Sequence, residues 1–226
     1  MDYPKTDREL LELMRRDLYS AVIGDILDQM ERYRQFLPPQ IRPLREDMVL
    51  CGRAMTVLEQ DRETTGEHAA GEKTFGKMLE ALDDLKEGEV YLCTGASPDY
   101  ALVGELMCTR MLSLGAAGAV CNGFHRDTSG ILALDLPCFS LGAYSQDQAP
   151  RGRVVDYRVP VTVGGVSVEP GDLVFGDRDG VVIVPREIER EVIERAWEKA
   201  MGEKTVGRAI REGMSATEAF AKYGIL

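Results

Sequence analysis

The spacing of apolar residues divides the first part of the chain into helices and a strand. A short amphipathic helix and a second helix are predicted at the start, and Ser20 is the expected N-cap of the second. A strand interrupted at Gly52 follows, and a polar stretch with two glycines then predicts a loop before a third helix. The predicted bounds are 7–18 and 20–30 for the first two helices, 48–58 for the strand, 61–73 for the loop and 72–84 for the third helix.

The centre of the chain alternates strand, helix and strand, which is the pattern of a βαβ unit with parallel strands. After residue 150, valine-rich stretches separated by turn residues predict antiparallel hairpins. Since no linker composition or repeat is visible, we predict a single α/β domain over 1–226, with a mixed sheet flanked by helices. The predicted bounds are 88–95, 116–123 and 136–142 for strands, 101–115 for a helix closed by Gly115, 186–201 for the last helix, 7–30 for the N-terminal helical region and 186–226 for the C-terminal helix with its charged tail.

Composition narrows the range of partners. The formal net charge is -11, and such a surface repels phosphate backbones, so we expect no nucleic-acid partner. No apolar run approaches the roughly 20 residues that a helix needs to cross a bilayer, and the polar N-terminus does not resemble a secretory signal, so we predict no membrane association and a cytoplasmic location. The five cysteines include no C-x-x-C pair, which favours reduced, buried thiols.

Several catalytic motifs are missing. The sequence contains neither a G-x-x-x-x-G-K-[ST] phosphate loop nor a G-x-S-x-G nucleophile elbow, and its glycines do not form a dinucleotide fingerprint. A Schiff-base enzyme needs a lysine that is desolvated in an apolar setting. The lysines here all occur in polar helices or tails: Lys5, Lys73, Lys77, Lys86, Lys199, Lys204 and Lys222.

The most informative segment lies between residues 95 and 127. Residues 104–107 fall at or near a predicted helix start, where backbone N–H groups without internal partners can bind a carboxylate. By itself, Glu105 could simply be a first-turn acid that offsets the helix dipole. Arg126 and Asp127 follow an apolar strand and could bind an anion and a divalent cation, or could form only a loop salt bridge. In a βαβ unit the helix start and the strand end are neighbours, so these groups are expected to converge on one site.

Glu105, twenty intervening residues and then Arg126-Asp127 resemble the D/E-x20-R-D signature of the class II pyruvate aldolases of the 4-hydroxy-4-methyl-2-oxoglutarate aldolase type. These enzymes are related to the ribonuclease-activity regulator A proteins. A second block, VPVTVGGVSVEPGDLVFGDRDGVVIVP, is similar to that family's PGDLVVGDxDGVVVVP element. The resemblance covers roughly residues 15–210.

The resemblance implies a swivelling β/β/α-like core, a homotrimer or homohexamer with sites between subunits, and Mg²⁺ or Mn²⁺ as cofactor. It implies Asp127 as the direct metal ligand, and Arg126 as the group holding the pyruvyl oxygen. Glu105 and, from a neighbouring subunit, Glu203 would reach the metal through water. The substrate carboxylate would be cradled by the backbone of Gly104, Glu105, Leu106 and Met107.

The expected reaction is retro-aldol cleavage of a 4-hydroxy-2-oxo acid, such as 4-hydroxy-4-methyl-2-oxoglutarate, to pyruvate and a second 2-oxo acid. Oxaloacetate decarboxylation is the expected side activity, because it passes through the same enolate. Two alternatives are a non-catalytic regulator of a ribonuclease-type partner, and a related lyase or hydratase acting on a sugar-acid derivative. His68 could reach the site, and His125 could be either a proton shuttle or a hydrogen-bonded loop side chain.

Overall fold

The computed structural model of the chain describes residues 3–63 and 73–225. The helices are α1 (Asp7–Asp17), α2 (Ser20–Gln29), α3 (Met78–Asp83), α4 (Glu105–Ser113), α5 (Thr128–Leu134), α6 (Glu189–Arg211) and α7 (Ala216–Tyr223). The strands are β1 (Arg42–Pro43), β2 (Leu50–Asp61), β3 (Glu89–Thr94), β4 (Ala101–Val103), β5 (Gly118–Cys121), β6 (Phe124–His125), β7 (Cys138–Ser140), β8 (Gly152–Tyr157), β9 (Val161–Val163), β10 (Val166–Val168), β11 (Leu173–Asp177) and β12 (Gly180–Val184).

The main sheet is mixed. Its centre is parallel, in the order β7-β5-β3-β2, and β11 and β12 extend it with antiparallel pairing beyond β2. The second half of β2 pairs with β8 along the same edge. At the other edge β1 pairs with β7. The segment before β1 hydrogen-bonds to β12 at the opposite end of the strand order, where the Leu37 N–H donates to the Val181 carbonyl oxygen at 2.9 Å. The sheet is therefore nearly closed into a barrel.

Helices cover this sheet in two groups because each has one apolar face. Helices α1, α2 and α6 pack against β2, β11 and β12, and Leu27, Phe175 and Val192 share their buried cluster. Helices α3, α4 and α5 contribute Leu82, Met111 and Ile131 to a second cluster under the other face. A third buried cluster contains residues from β2, β3, β7 and β11 and also includes residues of the β9–β10 hairpin. The predicted α/β class, with a mixed sheet flanked by helices, is confirmed.

Two local predictions in the first half of the chain were wrong. Ser20 is the first residue of α2, whose N-cap is Tyr19. The Ser20 N–H and hydroxyl each donate to the Asp177 carboxylate at 2.7 Å, so a distant residue supplies the cap. Gly52 does not interrupt β2; a Cβ there would lie 2.5 Å from the carbonyl oxygen of Gly88, so the glycine permits close strand packing.

Three predicted helices have different bounds. The helix predicted over 72–84 is confined to α3, because Gly76, with φ +62°, pairs with Val154 of β8. The helix predicted over 101–115 begins only at Glu105, because β4 pairs in parallel with β6. The last helix runs to Arg211, and part of the predicted tail forms α7. Most of the predicted 61–73 loop, residues 64–72, lies outside the described residues.

The predicted parallel βαβ unit is correct, since β3 and β5 run parallel with α4 between them. Gly115 follows the end of α4 with φ +73°, the left-handed conformation in which glycine commonly ends a helix. All five cysteines are buried and unpaired. Among the described residues, no helix combines the length and apolarity required to cross a membrane.

Candidate active site

A short parallel pair of strands brings the two predicted halves of the site together. Strand β4 leads into α4, and strand β6 leads into Arg126 and Asp127. The Arg126 N–H donates to the carbonyl oxygen of Val103 at 2.9 Å. Gly104, the N-cap of α4, therefore lies directly beside the Arg126-Asp127 pair. The predicted convergence of residues 104–107 with this pair is present.

Asp127 adopts an uncommon backbone conformation. Its φ of 60° and ψ of 38° place it in the left-handed region, at the N-cap of α5. Its carboxylate points to the start of α4, where Oδ2 accepts the Glu105 N–H at 3.3 Å and lies 3.7 Å from Arg126 Nε. Within the described chain, Oδ1 has no hydrogen-bond or ion-pair partner. A carboxylate oxygen thus remains open beside the positive end of a helix.

Gly104 permits this close approach. A Cβ at position 104 would lie 2.9 Å from Asp127 Oδ2 and 3.4 Å from Arg126 Nε, so a larger residue would displace the aspartate. The Gly104 φ of -137° is available to any residue, so the requirement for glycine is steric.

Arg126 and Asp127 lie at the edge of a cleft of about 410 Å³. The Arg126 Nη1 lies 3.1 Å from Asp147 Oδ1, and 39% of the arginine side chain is exposed. The lining contains these charged groups, Gly104 and Gln148, and a second ion pair between Arg110 and Asp83. The remaining lining is mostly apolar and includes Phe75, Met78, Leu79, Leu82, Ala101, Leu102, Val103, Leu106 and Met107.

His125 is buried behind the site. Its Nδ1 lies 2.8 Å from Ser140 Oγ and its Nε2 lies 2.9 Å from Thr128 Oγ1. Burial lowers the pKa of this imidazole below its ordinary value. Because both ring nitrogens have hydroxyl partners, the geometry favours the hydrogen-bonded loop alternative over a proton shuttle.

The other predicted acidic residues do not all reach the cleft. The Glu105 backbone lies at the start of α4, but its carboxyl group packs against Gly130 of α5, where a Cβ would approach Glu105 Cδ to 2.2 Å. Glu203 lies within α6 rather than beyond it, hydrogen-bonded to Tyr19, and is not among the residues that line the cleft. A role for Glu203 from a neighbouring subunit stays a prediction. His68 lies outside the described residues.

Comparison with known proteins identifies the family. The family model described as "RraA-like: Aldolase/RraA" matches residues 20–183. The chain belongs to the RraA-like aldolase family. A relative from Halalkalibacterium halodurans with the provisional name 4-hydroxy-4-methyl-2-oxoglutarate aldolase is 29% identical over 206 residues, which cover 91% of this chain and 90% of that protein.

Solved structures of similar proteins share the fold. An uncharacterised protein from Pseudomonas syringae pv. tomato superposes with a TM-score of 0.81 at 25% identity, covering 96% of this chain and 99% of that one. RraAS2 from Streptomyces coelicolor, described as an unusual member of the RNase ES inhibitor RraA family, gives a TM-score of 0.76 at 24% identity, covering 90% and 98%. The resemblance predicted from the sequence motifs is confirmed.

The donor groups of this RraA-like chain fit a hard divalent cation. Among the described residues, no three His, Cys, Asp or Glu side chains are grouped closely enough to hold a metal by themselves. Mg²⁺ usually keeps several waters and binds through one or two carboxylates together with oxygens of the substrate. Asp127, with 47% of its side chain exposed and Oδ1 open, offers the oxygen ligand that this mode requires.

Sequence reasoning missed four polar residues that line the cleft, Asp83, Arg110, Asp147 and Gln148, and one that contacts the lining from the strand behind it. Asp147 and Gln148 come after β7, so a search for polar residues beyond the third parallel strand could have found them. Glu59 had no such signal, because it lies inside a β-strand. Its carboxyl group accepts a hydrogen bond from Gln148 Nε2 at 2.5 Å, while Oε1 has no partner in the described chain. Burial raises the pKa of Glu59 to about 8.

Proposed function

We propose that this chain is a divalent-metal-dependent aldolase that cleaves 4-hydroxy-2-oxo acids, including the 4-hydroxy-4-methyl-2-oxoglutarate type, to pyruvate and a carbonyl product. The observation that carries the proposal is the open Asp127 carboxylate oxygen beside Arg126, at the N-terminus of α4 and at the edge of a cleft. Oxaloacetate decarboxylation is the corresponding side activity, because it also forms the enolate of pyruvate.

Each group has a defined task in this reaction. Breaking the C3–C4 bond leaves an electron pair on the pyruvyl fragment as an enolate, while C4 becomes a carbonyl and its hydroxyl proton passes to water. The enolate then takes a proton from water at C3 and becomes pyruvate. Bound at Asp127, Mg²⁺ or Mn²⁺ supplies Lewis-acid stabilisation of this charge. The Arg126 guanidinium holds the 2-oxo oxygen with a charge-assisted hydrogen bond. The first-turn N–H groups of Leu106 and Met107, which have no partner within the helix, bind the substrate carboxylate.

Lysine chemistry is the main alternative for stabilising an enolate. None of the chain's lysines, all of which lie in the described residues, lines the cleft. The groups present are a guanidinium, an open carboxylate and helix N–H donors. This set supports the metal-dependent route.

The test measures pyruvate release from 4-hydroxy-2-oxo acids with Mg²⁺ or Mn²⁺ and again with excess EDTA. We expect EDTA to abolish turnover and Asp127→Asn to lower kcat/KM by roughly 100-fold or more. Asp135→Asn is the matched control, because Asp135 also has a left-handed conformation (φ 55°), at the other end of α5, and does not line the cleft. Full activity in EDTA would contradict the proposal.

We also propose a homotrimer or homohexamer in which Glu203, which does not line the cleft of its own chain, serves a neighbouring site, as the motif resemblance implies. Sedimentation equilibrium measures the mass of the assembly. A monomer with full turnover would contradict this part of the proposal. Co-purification of a stoichiometric protein partner without metal-dependent turnover would instead favour the regulator alternative.

A further inference from the structure

A buried carboxyl group is connected to the cleft through one glutamine. Glu59 of β2 is only 2% exposed, and its Oε2 accepts a hydrogen bond from Gln148 Nε2 at 2.5 Å. Gln148 lines the cleft, and among the described residues its amide is the hydrogen-bond partner that Glu59 has. Because a buried carboxyl group is costly without such a partner, this hydrogen bond is a strong constraint on the amide.

Gln148 is held from two sides by its own chain. Its backbone carbonyl oxygen accepts the N–H groups of Arg151 and Gly152 at 2.7 and 2.9 Å, which fixes the backbone in a turn. Its side-chain N–H donates to Glu59, and only 3% of the residue is exposed. Contacts within one chain therefore determine where the amide lies.

The hydrogen bond to Glu59 also determines which atom of the amide faces the cleft. The amide nitrogen and oxygen lie on different sides of one carbon, so turning the nitrogen to Glu59 leaves the oxygen for the cleft. Gln148 Oε1 has no hydrogen-bond partner in the described chain, yet it is accessible, unlike the unpartnered Glu59 Oε1. The cleft thus contains a hydrogen-bond acceptor with a fixed direction.

An acceptor in this place suits a water molecule. The carboxylate and 2-oxo groups of the proposed substrates only accept hydrogen bonds, and a C4 hydroxyl bonded to the amide would keep the proton that has to leave. A water that donates to the amide oxygen keeps its lone pairs for a proton on its other side, and the hydrogen bond makes this water a stronger base. Aldol cleavage needs a base at the C4 hydroxyl.

We propose that Gln148, oriented by Glu59, positions the water that takes the proton of the C4 hydroxyl. The inference rests on the proposed aldolase activity. Gln148 directly follows Asp147, which lies 3.1 Å from the Arg126 guanidinium, so the amide is adjacent to the groups assigned to the pyruvyl part. The O–H bond breaks, its proton passes to this water, and its electron pair forms the C4 carbonyl as the C3–C4 bond breaks. Protonation of the enolate at C3 takes one proton back from water.

The test compares two reactions of the same protein with Mg²⁺. Cleavage of 4-hydroxy-2-oxoglutarate needs a base at the C4 hydroxyl, oxaloacetate loses CO₂ without one, and both reactions form the enolate of pyruvate. We expect Gln148→Leu to lower the ratio of kcat for cleavage to kcat for decarboxylation by about tenfold, with little change in KM for 4-hydroxy-2-oxoglutarate.

Gln146→Leu is the matched control, since the Gln146 amide also donates within the chain, to the Asp99 carbonyl oxygen at 3.0 Å, but does not line the cleft. This variant should keep the wild-type ratio. An unchanged ratio in Gln148→Leu, or the same fall in both variants, would overturn the inference.

Two variants of Glu59 test its positioning role. Glu59→Gln keeps an oxygen that can accept the Gln148 N–H, whereas Glu59→Leu leaves the amide free to turn. We expect the kcat ratio to fall at least about threefold in Glu59→Leu and to stay within about twofold of the wild type in Glu59→Gln. Decarboxylation by the same samples shows that they are folded. Equal falls in both variants, or a fall in neither, would overturn the role of Glu59.

Failure of the two proposals can be separated. If the wild type performs neither reaction, the aldolase proposal fails and this inference falls with it; if both reactions occur and the ratios do not move, only the inference fails. A crystal structure with Mg²⁺ and 2-oxoglutarate, which lacks the C4 hydroxyl, gives a readout independent of turnover. We expect an ordered water within hydrogen-bond distance of Gln148 Oε1, lost in Gln148→Leu. Its absence from the wild type would overturn the inference.

Discussion

Two of the clusters in which one arginine contacts two acidic residues have different surroundings. Arg53 bridges Asp7 of α1 and Glu189 of α6, donates a further hydrogen bond to the Gly171 carbonyl oxygen at 3.3 Å, and has only 12% of its side chain exposed. Arg126 lies 3.1 Å from Asp147 and 3.7 Å from Asp127, is more exposed, and borders the cleft.

The two arginine clusters differ in how completely their polar atoms are hydrogen-bonded. The Arg53 guanidinium is satisfied on several sides, as expected for a group that ties two helices to a sheet. Beside Arg126, Asp127 Oδ1 has no partner among the described residues, and 47% of the aspartate side chain is exposed. A left-handed backbone is not sufficient, because Arg158 has a φ of 54° within an ion-pair network with Asp84 and Glu89. Open polar atoms beside a cleft are the more informative sign.

Matched substitutions of the two arginines should produce the largest contrast. Arg126→Lys loses the planar guanidinium, so we expect kcat/KM to fall by roughly 100-fold while stability changes little. Arg53→Lys cannot bridge both partners, so the free energy of unfolding should fall by about 2 kcal/mol while kcat/KM is kept. Turnover assays and urea denaturation of both variants measure these effects. Equal losses of activity would remove the distinction between the clusters.

Glu59 differs from the acidic residues of both clusters, because it is a buried carboxyl group whose partner is the neutral Gln148 and not an arginine. Its pKa is raised from the ordinary 4.5 to about 8, so between these values the folded state binds one proton more than the unfolded state. This contribution to stability is therefore fully present below pH 4.5 and is lost as the pH rises to 8, by up to about 1.4 kcal/mol per pH unit.

Glu59→Gln should remove this dependence, because the amide does not titrate in this range and can still hydrogen-bond to Gln148. Urea denaturation of both proteins at pH 5, 6.5 and 8 gives the difference in unfolding free energy, in which other titrating groups cancel. We expect the difference to move in favour of the variant as the pH rises. A constant difference would show that the carboxyl group is ionised in the folded protein.

The smallest expected effect concerns the spacing between Gly104 and Asp127. Gly104→Ala places a methyl group 2.9 Å from Asp127 Oδ2, so we expect kcat/KM to fall about tenfold. Gly207→Ala is the control, because in α6 the added Cβ meets only the end of Arg211 at 3.6 Å. That variant should be slightly more stable, by about 0.5–1 kcal/mol, with unchanged activity. If Gly104→Ala keeps full activity, the position of the aspartate tolerates displacement.

Local periodicity and motif spacing predicted those elements whose structure is set by residues close to each other in the sequence. The first helices, the parallel βαβ unit and the hairpins after residue 150 follow from such patterns, since side-chain periodicity reflects which face is buried. The pairing of residues 104–107 with Arg126-Asp127 was also predictable, because the topology of a βαβ unit places its helix start beside its strand end. The spacing between Glu105 and Arg126-Asp127, together with the second sequence block, was sufficient to suggest the family.

Long-range pairing decided the rest. Residues 101–103 continue a helical pattern, yet they form β4, because hydrogen bonds to β6 replace those of a helix turn. Glu59 lies in an ordinary strand sequence, and only its hydrogen bond to Gln148 connects it to a residue that lines the cleft. The lining residues of α3 lie far from Arg126 in the chain, so the motif could not predict them. The sequence by itself determined the Arg126-Asp127 pair and the helix start beside it, and tertiary packing determined which other residues surround them.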